Sequence, residues 1–306
     1  MKVLIIGAGA IGSLVGGTLS EICDVTMVGR SEHTQAMMKG GLVLLEGSGK
    51  REIFPHVMTQ VPEGDFDMIL VTTKTYDTLG ALKGAKPVIK RDTLVILLQN
   101  GLGMEDKAAK MLTQMGVDVN LARGVISHSV LIESPGVVRR TGSGDLLFGM
   151  HAGKGKDGLN TLVKIFAKAG LTADVVDDIS RPVWLKAIIN SCVNPLCALV
   201  QRPNGALAQD PELRVASKII CTECESVARH YANLESVDAW GKVLEMSQKT
   251  ATNLNSMLLD IRAHKRTEID ALNGEIIARA KLLGIPVPSN QVIYSMVKSM
   301  EPKSVP

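Results

Sequence analysis

No segment restricts this chain more than the stretch from Lys2 to Val28. Lys2 to Ile6, KVLII, is a short apolar run of the kind a buried parallel strand requires. Gly7-Ala8-Gly9-Ala10-Ile11-Gly12 follows at once. Ser13 to Ser20, SLVGGTLS, then has the small-residue spacing of a helix, and Val25 to Val28 is strand-like again. A GxGxxG pattern alone is weak. Set between a strand and a helix, it is the fingerprint of a dinucleotide-binding βαβ unit. Gly7 permits the tight turn, Gly9 lets the backbone approach a pyrophosphate, and Gly12 lets helix and strand pack closely. Ala8, Ala10 and Ile11 complete the loop, and the helix start adds N–H groups and the positive end of its dipole.

The tip of the second strand discriminates between the nicotinamide cofactors. NAD binders usually carry an acid there for the ribose 2′-hydroxyl. Here the tip reads Val28-Gly29-Arg30-Ser31. The guanidinium of Arg30 and the hydroxyl of Ser31 suit a 2′-phosphate, so NADP (NADPH) is expected over NAD. Glu32 is the nearest acid and argues the other way.

The 306 residues suggest two domains of about 150 each. There are 34 basic and 31 acidic residues, a net charge of +3, and aromatics make up only 3%. That balance gives no reason to expect nucleic-acid or membrane partners, and a single-strand binder would need more stacking platforms. The five cysteines form no repeating framework. Cys221 and Cys224 lie one turn apart in a helical stretch and lack a second ligand pair, so no metal is expected. A reducing, cytoplasmic setting is the expectation. The N-terminal apolar run is explained better by its glycines than as a signal peptide, and no other run reaches the ~18 apolar residues of a membrane span.

Further along, Gly40 to Pro62 reads as irregular or edge strands. Strong strands follow at Met68 to Thr72 and Thr93 to Leu98, with Lys74 and Asn100 just beyond their carboxyl ends. That edge is where open parallel sheets bind ligands. Gly124 to Ile132 reads as one more strand, and Val137 to Arg140 and Asp145 to Gly149 as antiparallel extensions of the same sheet. Leu159 to Ala169 reads as a helix and Leu171 to Val176 as a last strand. Asp177 to Ser180 is a polar break, and beyond Ser180 the strand signals stop. Arg181 to Val200, Pro211 to Asn233, Val237 to Met246, Asn255 to Leu283 and Asn290 to Met300 show helical periodicity. The expected architecture is an α/β Rossmann-type dinucleotide-binding domain, residues 1–178, followed by an all-α substrate domain, residues 179–306.

The second half contains a polar anomaly. Val183 to Pro195, VWLKAIINSCVNP, is almost wholly apolar but carries Lys186, Asn190 and Asn194 at i, i+4 and i+8. On a helix these form one stripe. An ammonium and two carboxamides among Leu185, Ile188, Ile189 and Val193 must find partners or a ligand. Asn204 in a PNG turn, Asn253 and Ser256, and Glu268 in a TEID stretch read as helical beside Asn273 add further polar groups.

These pieces together resemble the ketopantoate reductase (2-dehydropantoate 2-reductase) family over nearly the whole chain. The matching segments are GAGAIG at Gly7, TTK ending at Lys74, QNGLG at Gln99, WLKAIINSCVNP at Trp184, PNG at Pro203 and NSMLLDIRAHKRTEIDALNG at Asn255. The resemblance implies reduction of a ketone by NADPH, in pantothenate and coenzyme A synthesis. It implies Lys186 as proton donor, with Glu268 assisting. It implies substrate contacts at Asn190, Asn194, Asn204, Asn253 and Ser256. Cofactor contacts would fall on the glycine loop, Lys74, Asn100, Val130 and Glu268. The partner implied is a small 2-keto acid, and long helices with apolar faces are compatible with a homodimer. Three other readings stay open: a reductase of another 2-keto acid or imine, a non-catalytic NADP sensor, and a 3-hydroxyacid dehydrogenase, against which the PNG and TEIDALNG pieces speak.

Overall fold

Period-two alternation in the first half sends neighbouring side chains to opposite faces of a sheet, and apolar residues on both faces demand a layer on each side. In a computed structural model, which describes residues 1–302, the elements begin with β1 (Lys2–Ile6), α1 (Ala10–Ser20), β2 (Asp24–Val28) and α2 (Glu32–Gly40). They continue with β3 (Leu42–Glu46), β4 (Gly49–Ile53), β5 (His56–Met58), β6 (Met68–Val71), α3 (Thr78–Ala85), β7 (Leu94–Leu97) and α4 (Met104–Gln114). Then come β8 (Asn120–Ile126), β9 (Ser129–Ser134), β10 (Val137–Gly142), β11 (Leu146–Ala152), α5 (Lys156–Lys168) and β12 (Ala173–Val175). Helices alone follow: α6 (Ser180–Val200), α7 (Ala206–Gln209), α8 (Pro211–Ala228), α9 (Ala239–Lys249), α10 (Ser256–Arg262), α11 (Asn273–Leu283) and α12 (Pro288–Met300). The chain divides into two compact units. One is Met1–Gln99 with Met104–Ile179; the other is Asn100–Gly103 with the residues from Ser180 onward.

The first unit is built on an eight-stranded sheet in the order β12-β11-β8-β7-β6-β1-β2-β5. Val3 and Ile5 of β1, Leu70 of β6 and Ile96 of β7 enter one core; Leu4, Ile6, Ile69, Val71, Val95 and Leu97 enter the other. Each such side chain, fully buried, contributes about 1.5–3 kcal/mol. The first core includes α1, α5 and the second sheet; the other includes α3 and α4. β1 pairs in parallel with β2 on one side and β6 on the other. The strand order reverses there, so a switch-point crevice opens beyond the carboxyl ends of β1 and β6.

Four features depart from the sequence reading. Gly124 to Ile132 is not one strand. It breaks at Ser127–His128, where Ser127 N donates to the Asp145 carbonyl and His128 Nδ1 accepts from Gly144 N. β8 stays in the large sheet while β9 joins a second sheet in the order β4-β3-β10-β9. β10 therefore does not extend the large sheet; it pairs in parallel with β3 and antiparallel with β9, whereas β11 does join β8 antiparallel. α2 is a helix where only a strand tip is evident in the sequence, started by Ser31, whose hydroxyl accepts from Thr34 N.

The fourth departure lies in the second unit. Asn255 to Leu283 is not one helix. α10 ends at Arg262, His264 takes a left-handed conformation (φ 50°), and a 3₁₀ turn at Ile269–Ala271 precedes α11. Glu268 is thus borne on a turn, and Asn253 lies before the N-cap of α10, Asn255. α6 is the central helix, packed by α8, α9, α10 and α12. It is long and apolar enough to cross a membrane, yet it is mostly buried inside the protein. Cys221 and Cys224 are buried free thiols of α8.

Candidate active site

The glycine loop of the first unit is built by close approach. Gly7 has φ +112°, and a Cβ there would stand 2.5 Å from Thr73 N. A Cβ on Gly12 would stand 2.1 Å from the Gly7 carbonyl oxygen, so only glycine lets α1 start so near β1. Gly9 is different. Nothing lies within 4 Å of where its Cβ would be, and as the N-cap of α1 it offers no side chain to the first-turn amides. Those amides and that open side fit a pyrophosphate. Thr72 fixes the neighbouring strand end, its Oγ1 donating to the Gly7 carbonyl at 2.7 Å. Lys74 follows, half-buried, at the start of a 3₁₀ turn. Arg30 is exposed just before the N-cap of α2. Ser31 is engaged as that cap, also bonding Thr34 Oγ1 at 3.0 Å. Val130 sits on β9, partly buried against the core shared with α1.

In the second unit Lys186, Asn190 and Asn194 lie along one stripe of α6, as their spacing requires. Lys186 and Asn190 are half-buried, and Asn194 is buried. A polar pocket collects Asn194 with Asn100, Ser256, Glu268, Met257, Asp260 and Leu272. Four of these were singled out in the sequence, and they come from four separate stretches. Asn100 Nδ2 donates to Glu268 Oε2 at 3.3 Å. Glu268 is buried although ionisable, at 7% exposure. Asn100–Gly103 is seated by Leu102 N donating to the Ala271 carbonyl at 2.9 Å. Gly101, at φ +85°, approaches so closely that a Cβ would meet that same oxygen at 2.5 Å.

Lys186, Asn190, Asn204 and Asn253 do not line this pocket. Lys186 is two helical turns before Asn194, about 12 Å along the axis. The Asn204 carboxamide is engaged inside the protein: Nδ2 donates to Thr250 Oγ1 at 2.9 Å, and Oδ1 accepts from Asn255 Nδ2 at 3.0 Å. Its backbone N donates to the Asn253 carbonyl at 3.0 Å. Asn204 thus ties the PNG turn to the start of α10. Asp260 was missed in the sequence, although it falls at i+4 from Ser256 on α10, the spacing that brings two side chains to one face.

Both halves of the chain are similar to known proteins of one family. The family described as Ketopantoate reductase PanE/ApbA matches residues 3–153, and Ketopantoate reductase PanE/ApbA C terminal matches residues 178–301. The 2-dehydropantoate 2-reductase of Pyrococcus horikoshii is 36% identical over 303 residues, 98% of each chain. Among solved structures, a PanE/ApbA family ketopantoate reductase from Ralstonia eutropha JMP134 is 30% identical, with a TM-score of 0.85 over 98% of each chain. A D-mandelate dehydrogenase solved with NADH and anilino(oxo)acetate is 26% identical, with a TM-score of 0.89 over 98% of each chain. With both halves matched and a relative this similar over its full length, the chain belongs to the ketopantoate reductase family of oxidoreductases.

Proposed function

We propose that this protein reduces the ketone of ketopantoate to the alcohol of pantoate with NADPH, a step toward pantothenate and coenzyme A. The observation that carries the reading is the convergence of Asn100, Asn194, Ser256 and Glu268 on one polar pocket, in the unit that also bears Lys186. The loop Gly7 to Gly12 would hold the pyrophosphate, with Ala8, Ala10 and Ile11 shaping it. Arg30 would hold the 2′-phosphate, and Lys74, Asn100 and Val130 would add contacts. When bound, NADPH supplies a hydride to the carbonyl carbon.

The residues of this chain do the rest. Lys186 carries a proton at Nζ and gives it to the carbonyl oxygen as negative charge develops there. Asn190 and Asn194 orient the substrate oxygens without adding charge. Ser256, the first residue of α10, offers its hydroxyl to the substrate carboxylate. Glu268 orients the donor and, through Asn100, the cofactor side of the pocket. Asn204 and Asn253 shape the turn that precedes α10.

The test is NADPH consumption with ketopantoate as sole substrate. Lys186→Ala should lower kcat by about 10²–10⁴-fold, the range of a lost general acid, while NADPH affinity by fluorescence titration stays within about threefold. Surviving turnover would remove Lys186 from its role. One observation supports a second reading, the kinship with a D-mandelate dehydrogenase solved with NADH. A panel of ketopantoate, pyruvate, 2-ketoisovalerate and phenylglyoxylate separates the two. A kcat/KM higher on the aryl keto acid than on ketopantoate would move the assignment to that substrate class.

A further inference from the structure

Glu268 lies on the non-helical connection between α10 and α11, and a connection of that kind is ordinarily mobile. Here the residues on both sides of it are gripped by α12 and its C-cap, Glu301. Thr267 is wholly buried, and its N and Oγ1 both donate to Glu301 Oε1, at 2.9 and 2.6 Å. Ile269 N donates in turn to Thr267 Oγ1 at 3.3 Å. Asp270 accepts from Tyr294 Oη at 2.8 Å, from Lys298 Nζ at 3.2 Å and from Arg266 at 3.0 Å. Lys298 closes the network by donating to Glu301 Oε2 at 2.6 Å.

We propose that the last turns of α12 and the residue that caps them, Glu301, the central acceptor, are a positioning clamp that sets the Glu268 carboxylate in the pocket. The inference rests on the reading that Glu268 works in that pocket. The geometry favours positioning over simple cohesion. The clamp holds Thr267 by backbone and side chain and Asp270 by its carboxylate, the residues that flank the turn, and the Glu268 carboxylate lies in the pocket, accepting from Asn100. The central contact is charge-assisted and made to a buried backbone N–H and hydroxyl, the kind of bond that fixes direction as well as distance. Site groups must be held within about 0.5 Å to work, and a turn cannot supply that rigidity alone. Tyr294 and Lys298 stand at i and i+4 on one face of α12, and Glu301 is the extended C-cap that ends it, so one short stretch of chain delivers all three contacts.

The test uses the full chain. Glu301→Ala should speed backbone hydrogen exchange over residues 266–271 and lower kcat on ketopantoate with NADPH about tenfold. Glu301→Gln keeps an oxygen for Thr267 and should hold kcat within about threefold of the parent. Thr267→Val, nearly isosteric, should act like Glu301→Ala, and Thr267→Ser should restore turnover; this pair carries the test if Glu301→Ala does not fold. Unchanged exchange in the variants overturns the clamp. Faster exchange with kcat and KM untouched makes α12 a brace and overturns the positioning role, as does a Gln variant that falls as far as the Ala variant. A parent chain that turns over no 2-keto acid with NADPH sinks the proposed function instead, and the exchange arm then decides the clamp alone.

Discussion

At the scale of the residue, partners can fix a protonation state. His33, in the first turn of α2, is buried against α1 and the turn before β10. Gly136 N donates to its Nδ1 at 2.9 Å, so that nitrogen carries no proton. The hydrogen therefore sits on Nε2 and is donated to Ser13 Oγ at 2.9 Å, which donates on to Met37 Sδ. A neutral imidazole satisfies this chain, and burial holds the pKa below its ordinary 6.5, outweighing a Ser134 backbone contact that favours the charged ring. His128 is lowered in the same way, by burial and then by the Arg140 charge. The sign follows from linkage. As pH falls below about 6.5, the unfolded chain takes up protons that the folded chain refuses, so stability is lost toward acid and regained above that pH. The urea midpoint of the parent should fall between pH 7.5 and 5.5. His33→Gln keeps an acceptor for Gly136 N. It should cost about 1 kcal/mol at pH 7.5 but show a shallower fall toward pH 5.5. An equal slope would mean that His33 is not held neutral.

At the scale of the element, α6 shows how a rule is broken and repaired. Pro195 lies inside the helix and has no N–H for the carbonyl of Ser191 one turn earlier. Asn273, from the first turn of α11, donates its Nδ2 to that carbonyl at 3.1 Å. It also donates to Asn290 Oδ1 at 3.0 Å, so one carboxamide joins three helices. Asn273→Ala should cost about 1–3 kcal/mol by leaving a buried carbonyl unpaired. In a Pro195→Ala background the helix supplies the missing N–H, and the same substitution should cost less. Equal costs in both backgrounds, by denaturant midpoints, would disconnect Asn273 from the proline. This element also marks what could be read in the sequence. The stripe of α6, the glycine loop and the alternation of β1, β6 and β7 are local periodicities, and local periodicity is written in adjacent residues. The second sheet is not local. β10 chooses β3, about a hundred residues earlier, and its alternation is the same in either sheet. The break before Glu268 depends on Thr267 reaching Glu301, and no helical periodicity reports such a contact. Asp260 was hidden for another reason: an acid on a helix facing a pocket has the same sequence signature as one facing water.

At the scale of the whole molecule, ligand binding is read as stability. A cofactor that binds the folded chain and not the unfolded one raises the unfolding free energy by about 2.7 kcal/mol at a hundredfold excess over its Kd. If the loop at Gly7, Gly9 and Gly12 holds the pyrophosphate common to both nicotinamide dinucleotides, NADPH and NADH should each raise the melting temperature of the full chain. Discrimination belongs to the 2′ position, and there the chain offers Arg30 before a helix start, with Ser31 already engaged as the cap and Glu32 in the first turn. If Arg30 pairs with a 2′-phosphate, NADPH should shift the midpoint further than NADH at equal concentration. Arg30→Ala should then erase most of that difference and leave the NADH shift where it was. Arg30 is exposed, so its removal should change the ligand-free midpoint little, and the comparison stays clean. Such a difference should also depend on salt: an exposed guanidinium–phosphate contact weakens as the Debye length shrinks from about 10 Å at 0.1 M to about 3 Å at 1 M. The NADPH advantage should therefore narrow in high salt while the NADH shift moves less. Equal shifts from the two cofactors, or an Arg30→Ala chain that loses both together, would take the 2′-phosphate away from Arg30 and return Glu32 to consideration as the partner of a free ribose hydroxyl.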